Sequence, residues 1–255
     1  MRIITNRIGP ASELFHRFLA PIAAIALTLA AIGTVILWTV DGADSTQRGG
    51  RAPALLKGVD AGQVVHQIIT VQVKPNVSDP IRVTTEEYYI LVGSNGRTDK
   101  AYVKTTEAGG TATQEGYYDA ASGTLYNYTT GAGERDRLVL SSAGPDFSPF
   151  ISWSDSDIAE AIAQGFTAQP SVTLSRPTVV LEKNESNATT DKRVKQVVAT
   201  DLGIEIGTET ALQSTSGSLI GLYSRSTSLL EVIPLGAVLD GIFNWEPPKD
   251  VTANR

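Results

Sequence analysis

The sequence predicts a mainly β domain, an antiparallel sheet with little helix, held behind a single N-terminal membrane helix. Three observations lead there. Segments rich in β-branched and aromatic residues recur about every 8–12 residues, punctuated by Gly, Asn and Pro. Good helix signals gather in one soluble stretch, residues 155–164. An uncharged apolar run fills residues 18–40. Closely spaced strands without alternating helices suit a barrel or a sandwich rather than a parallel sheet.

The apolar run reads FLAPIAAIALTLAAIGTVILWTV and is bounded by Arg17 and Asp41. At about 1.5 Å per residue it spans about 35 Å, enough for a hydrocarbon core of about 30 Å. Pro21 sits in its first turn, where a missing N–H costs little, and Trp38 lies near the far end, at interface depth. A cleaved signal peptide is the rival reading. Its apolar region would be shorter, and Asp41-Gly42-Ala43-Asp44 makes a poor cleavage site. Flanking charge is nearly balanced, but Arg17 before the span and Asp41 and Asp44 after it favour an inside N-terminus. The chain therefore divides into a cytoplasmic tail (1–17), the span (18–40), a Gly-rich linker (41–53), a β-domain (54–248) and a C-terminal tail (249–255).

Within the β-domain, Pro53 opens a short helix predicted to reach Val59. Residues 64–73 (VVHQIITVQV) and 81–92 (IRVTTEEYYILV) read as strands. Asn95-Gly96 then supplies a hairpin turn. Strands at 100–106, 111–119, 124–130 and 135–140 follow, joined at glycines, so about six strands form a meander. The helix at 155–164 has Ser154 to cap it, Asp155 and Asp157 in its first turn and Gly165 beyond its end. Strands resume at 178–182, 193–201, 205–211, 218–226 and 229–233.

Composition excludes more chemistry than it proposes. The 255 residues include no Cys, which removes thiolate catalysis, disulfides, Cys-bound metals and a lipidated N-terminal Cys. Two His make a multi-His metal site a poor fit, and no cofactor is expected. The net charge is −6. Residues 1–40 hold three Arg and one Glu, which leaves 18 basic and 26 acidic side chains, net −8, on the rest. Such a surface repels nucleic acid and anionic headgroups.

No nucleophile elbow, zinc-protease motif, P-loop or dinucleotide fingerprint is present, so an enzyme is not expected. His66 lies in the first strand and reads as a histidine satisfied by a neighbour. Glu86 and Glu87 are adjacent and so point to opposite faces. Tyr126 and Tyr128 share a face. With Tyr117, Ile158 and Ile162 they are the candidate lining of a ligand cavity. Four glycosylation sequons begin at Asn76, Asn127, Asn184 and Asn187.

Two places resemble the LolA-like superfamily, which includes the outer-membrane lipoprotein carrier, the mycobacterial LppX and LprG lipid carriers and RseB. One runs from Glu115-Gly116-Tyr117-Tyr118-Asp119 through Gly123-Thr124-Leu125-Tyr126-Asn127-Tyr128. The other covers residues 204–210, 217–220 and 230–233 and closes on Ile242-Phe243-Asn244-Trp245-Glu246-Pro247-Pro248. Leu202-Gly203-Ile204-Glu205 departs from the family's turn consensus. The resemblance covers about residues 54–248 and implies a curved antiparallel half-barrel covered by one or two helices, with an apolar cavity. It implies an extracytoplasmic, non-catalytic module for a lipid, an acyl chain or a lipoprotein, anchored by the N-terminal helix. The alternative it leaves open is a regulatory or sensory envelope protein acting through a membrane protein partner.

Overall fold

The computed structural model describes residues 56–109, 112–131, 137–142, 147–150, 152–246 and 253–254. All belong to the compact unit Leu37–Arg255. The predicted span (18–40), its tail and most of the linker lie outside the described residues. Among the described residues no helix is long and apolar enough to cross a membrane.

The first meander holds β1 (Gln63–Lys74), β2 (Arg82–Val92), β3 (Thr98–Glu107), β4 (Ala112–Asp119), β5 (Thr124–Gly131) and β6 (Arg137–Ser142). The chain then crosses to the far edge of the sheet through α1 (Asp155–Ala163). A second meander winds back through β7 (Thr167–Thr173), β8 (Arg176–Ser186), β9 (Thr190–Ala199), β10 (Ile204–Ser214) and β11 (Leu219–Pro234). There β11 pairs with β1, so the two meanders fuse into one antiparallel sheet. The two-residue β12 (Ala253–Asn254) adds to β6 in parallel, completing the order β12-β6-β5-β4-β3-β2-β1-β11-β10-β9-β8-β7.

This sheet is open, with β7 at one edge and β12 at the other. The barrel or sandwich expected from strand spacing is thereby corrected to a single open sheet. Spacing specifies antiparallel neighbours, whereas closure needs a matching tilt and register stagger. Three element boundaries also differ. Residues 57–58 form a turn, so the described part of the expected 53–59 helix is not helical. The strands expected at 218–226 and 229–233 are one 16-residue strand, β11, whose register against β1 slips at Ile68/Ile69. And β7 went unexpected, because TAQPSVT contains Pro170 and lacks apolar alternation.

The largest core lies on one side of the central strands. Val65, Ile69 and Val71 of β1 pack with Tyr88, Ile90 and Val92 of β2, Ala101 and Val103 of β3, and Tyr118 of β4. Leu56, Val59, Phe147 and Phe150, all on irregular segments, lie against this face. The helix covers only the second meander. Its Ile158 and Ala161 pack with Trp153, Leu181 and Val198. Its start follows the predicted cap. The Ser154 side chain takes the Asp157 N–H, and the Asp157 carboxylate takes the Ser154 N–H at 2.8 Å.

Candidate functional site

Side chains alternate across a strand, so the neighbours of the core residues point to the opposite face. Strand register places His66, Tyr89, Tyr102, Tyr117 and Tyr126 side by side on that face, one from each of β1 to β5. At roughly 4.8 Å per strand this row runs about 19 Å. Beside it lies a second row, Glu87, Lys104, Glu115 and Tyr128, from β2 to β5.

At one end His66 is buried and stacks on Tyr89, with ring centroids 4.2 Å apart and planes 9° apart. Its Nδ1 lies 2.8 Å from Glu231 Oε1 and its Nε2 lies 3.0 Å from Glu87 Oε1. Tyr89 donates to the same Glu87 oxygen at 2.8 Å, and Tyr102 donates to Glu115 at 3.1 Å. Burial first, and then the Glu87 hydrogen bond, push the Tyr89 phenol up to about 12. The Tyr102 phenol is pushed up as well, by burial and the Glu115 charge. With both His66 nitrogens turned to carboxylates, neither is left to activate a nucleophile. Among the described residues no group of three His, Asp or Glu could hold a metal ion.

The other end is covered by a strap, residues 235–246, that leaves β11 and crosses the face. Phe243 is buried against Val64 and Leu91. Its carbonyl accepts the Tyr117 hydroxyl at 2.9 Å and the Lys100 ammonium at 3.2 Å. Two residues on, the Trp245 indole sits among Tyr117, Tyr126 and Tyr128, at centroid distances of 6.0, 6.0 and 6.4 Å. Its N–H donates to Glu115 at 3.0 Å. Burial, followed by the Asp119 charge, pushes the Tyr117 phenol up to about 12.

The structure thus brings together three of the five candidate residues, Tyr117, Tyr126 and Tyr128, around a side chain of the chain itself. It does not bring Ile158 and Ile162 to them. Ile158 packs in the helix cluster with Trp153, and Ile162 is 49% exposed. In the sequence Glu87 reads as half of an adjacent acidic pair, and Glu115, Glu231 and Trp245 fall within motif segments, but none of them is given a role at the site. Two of their roles depend on contacts far apart in the chain: Glu231 meets His66 across 165 positions and Trp245 meets Glu115 across 130. Asn127, one of the sequon residues, lies within β5.

No family model and no curated protein matches the sequence. Among solved structures, the chain is similar to the crystal structure of a DUF1329 family protein from Desulfovibrio piger. The two share 9% identity over 72% of this chain and 90% of that one, with a TM-score of 0.31. Two chains at that TM-score need not share a topology, so the match leaves function open.

Proposed function

We propose that the chain is a membrane-anchored, extracytoplasmic and non-catalytic binding module for a lipid, an acyl chain or a lipid-modified protein, built as a LolA-like curved half-barrel. One observation carries this reading: how the apolar face of the sheet is covered. The wall is a continuous ladder of hydrogen-bonded strands, but the cover is irregular chain. Phe147 rests on Tyr118 at a centroid distance of 4.4 Å, and Phe150, Leu56 and Val59 lie against the same face. Lifting such a cover breaks side-chain packing and leaves the strand ladder intact. An acyl chain that replaces the cover restores the lost apolar burial at about 25 cal/mol per Å². The Glu86–Arg225 pair, at 3.5 Å and joined by the Tyr88 hydroxyl, adds a polar point on this greasy face that suits a headgroup.

The test is a lipid extraction. Full-length protein purified in mild detergent is extracted into organic solvent and the extract read by mass spectrometry. Bound lipid near one mole per mole is expected. Protein that releases none, and takes up no fluorescent fatty acid when offered it, overturns the reading. A regulatory envelope protein acting through a protein partner is the second reading, favoured by the strap-covered aromatic face.

A further inference from the structure

We propose that the face bearing the aromatic row is a peptide-binding site, occupied at one end in cis by the C-terminal strap. Its ligand is a short segment of another protein carrying basic residues next to an aromatic ring. The site lies on the opposite side of the sheet from the apolar face and does not depend on lipid binding.

The strap itself shows what the covered end accepts. Three tyrosine rings surround one flat side chain, Glu115 accepts its N–H, and Tyr117 and Lys100 together hold a main-chain carbonyl two residues earlier. Residues 240–244 of the strap follow turns and a bend, so the covered end accepts a compact segment that sets two aromatic side chains, Phe243 and Trp245, against the sheet. The strap is anchored on the face by side-chain contacts and not by a strand ladder. These polar contacts all use a side chain on the sheet or on the strap, and Leu235 and Leu239 remain exposed at 45% and 75%. Gly241, at a φ of 98° with open space around it, turns the chain just before Phe243 in a conformation that glycine adopts without strain.

The second observation is an open groove of about 370 Å³ lined by Thr85, Glu87, Lys104, Thr106, Glu107 and Ala108. It shares a row with the covered end. Glu87 and Lys104 line the groove, and the next residue in register is Glu115, the partner of Trp245. A ligand lying in the groove therefore runs into the Trp245 position and competes with the strap. Among the described residues the carboxylates of Glu87, Glu107 and Glu115 outnumber Lys104 along this strip, and Glu231 adds another beyond His66. Complementarity thus favours a cationic segment.

The probe is a synthetic peptide with the strap residues 242–246 preceded by two lysines, added to the full chain in detergent and followed by calorimetry. Three proteins are compared: the native chain, Trp245→Ala, and a groove variant with Glu87→Lys and Glu107→Lys. Saturable binding to the native chain is expected, at least tenfold tighter binding to Trp245→Ala, and at least tenfold weaker binding to the groove variant. Should Trp245→Ala fail to melt cooperatively, Trp245→Leu takes its place, with the same tightening expected. No saturable binding to any of the three overturns the proposal, as does equal affinity for the native chain and the position-245 variant. Unchanged affinity in a groove variant that melts like the native protein overturns it too. Lipid content is measured on the same samples, so loss of peptide binding and loss of lipid are scored apart.

Discussion

At the scale of single residues, the aromatic row makes its strongest statement through protonation. Tyr89 and Tyr117 are each pushed up to about 12. A tyrosine in the unfolded chain ionises near ~10. Both phenols are therefore held neutral by the fold over a range where the unfolded chain would ionise them. The stability they contribute is fully present below about pH 10 and is lost as pH rises through about 12. A phenolate absorbance titration is expected to show part of the tyrosine signal rising only well above ~10, with denaturant midpoints falling across the same interval. All tyrosines ionising together near 10 would refute the packing described. His66 makes a second residue-level case. Replacing it with Gln removes the ring stack and leaves two carboxylates facing a group that cannot serve both as the imidazole does. Both carboxylates are partly exposed, which limits the expected cost to about 1–2 kcal/mol in equilibrium unfolding. The sequence reading went only as far as a satisfied histidine. Glu87 stands in the sequence only as half of an adjacent acidic pair, and Glu231 lies 165 positions away, so neither is matched to His66 there.

At the scale of elements, local chemistry was legible wherever a turn or a cap encodes it. The cap at Ser154 is one case, and the turn through Asn95-Gly96 is another, with Gly96 at a φ of 73°. The failures are equally physical. Residues 226–228 of β11, Ser-Thr-Ser, break the apolar pattern, so one strand reads as two. At the β7–β8 turn, Leu174 and Ser175 sit at φ of 53° and 59° without a glycine signal, and Leu174 is kept there by packing against the core. Gly203 is the sharpest case. Its φ is 67°, and a Cβ there would meet the Trp153 carbonyl oxygen at 3.0 Å. That carbonyl cannot move freely, because the Trp153 N–H donates to Gly203 O at 2.7 Å. Gly203→Ala is thus expected to cost about 2 kcal/mol or more, since strain and crowding add. Chemical denaturation measures it, with Gly217→Ala as the comparison: its φ is 86°, but nothing stands within 4 Å. Equal losses at the two positions would remove the crowding argument.

At the scale of the whole molecule, the seam between β1 and β11 decides how the protein comes apart. Each meander is built from neighbours in sequence, but the seam joins the first strand to the last long one. It is the contact with the largest loop to close, so it forms late in folding. Yet it sits at the centre of the sheet, where Val64 and Val65 are fully buried. There Gln67, itself buried, donates to the Thr227 hydroxyl across the seam at 2.7 Å. Once formed it is shielded by strands on both sides, while β7 at the edge is largely exposed. Late formation and high final protection are compatible, because protection reports the free energy of opening and not the order of assembly. Native-state hydrogen exchange is therefore expected to find the slowest amides in β1, β2 and β11, opening only with global unfolding, and the fastest strand amides in β7. If the seam exchanges before either meander, the two halves are separate folding units that merely touch. Co-exchange of both meanders with the seam, at one free energy and one denaturant sensitivity, is the signature of a single cooperative sheet.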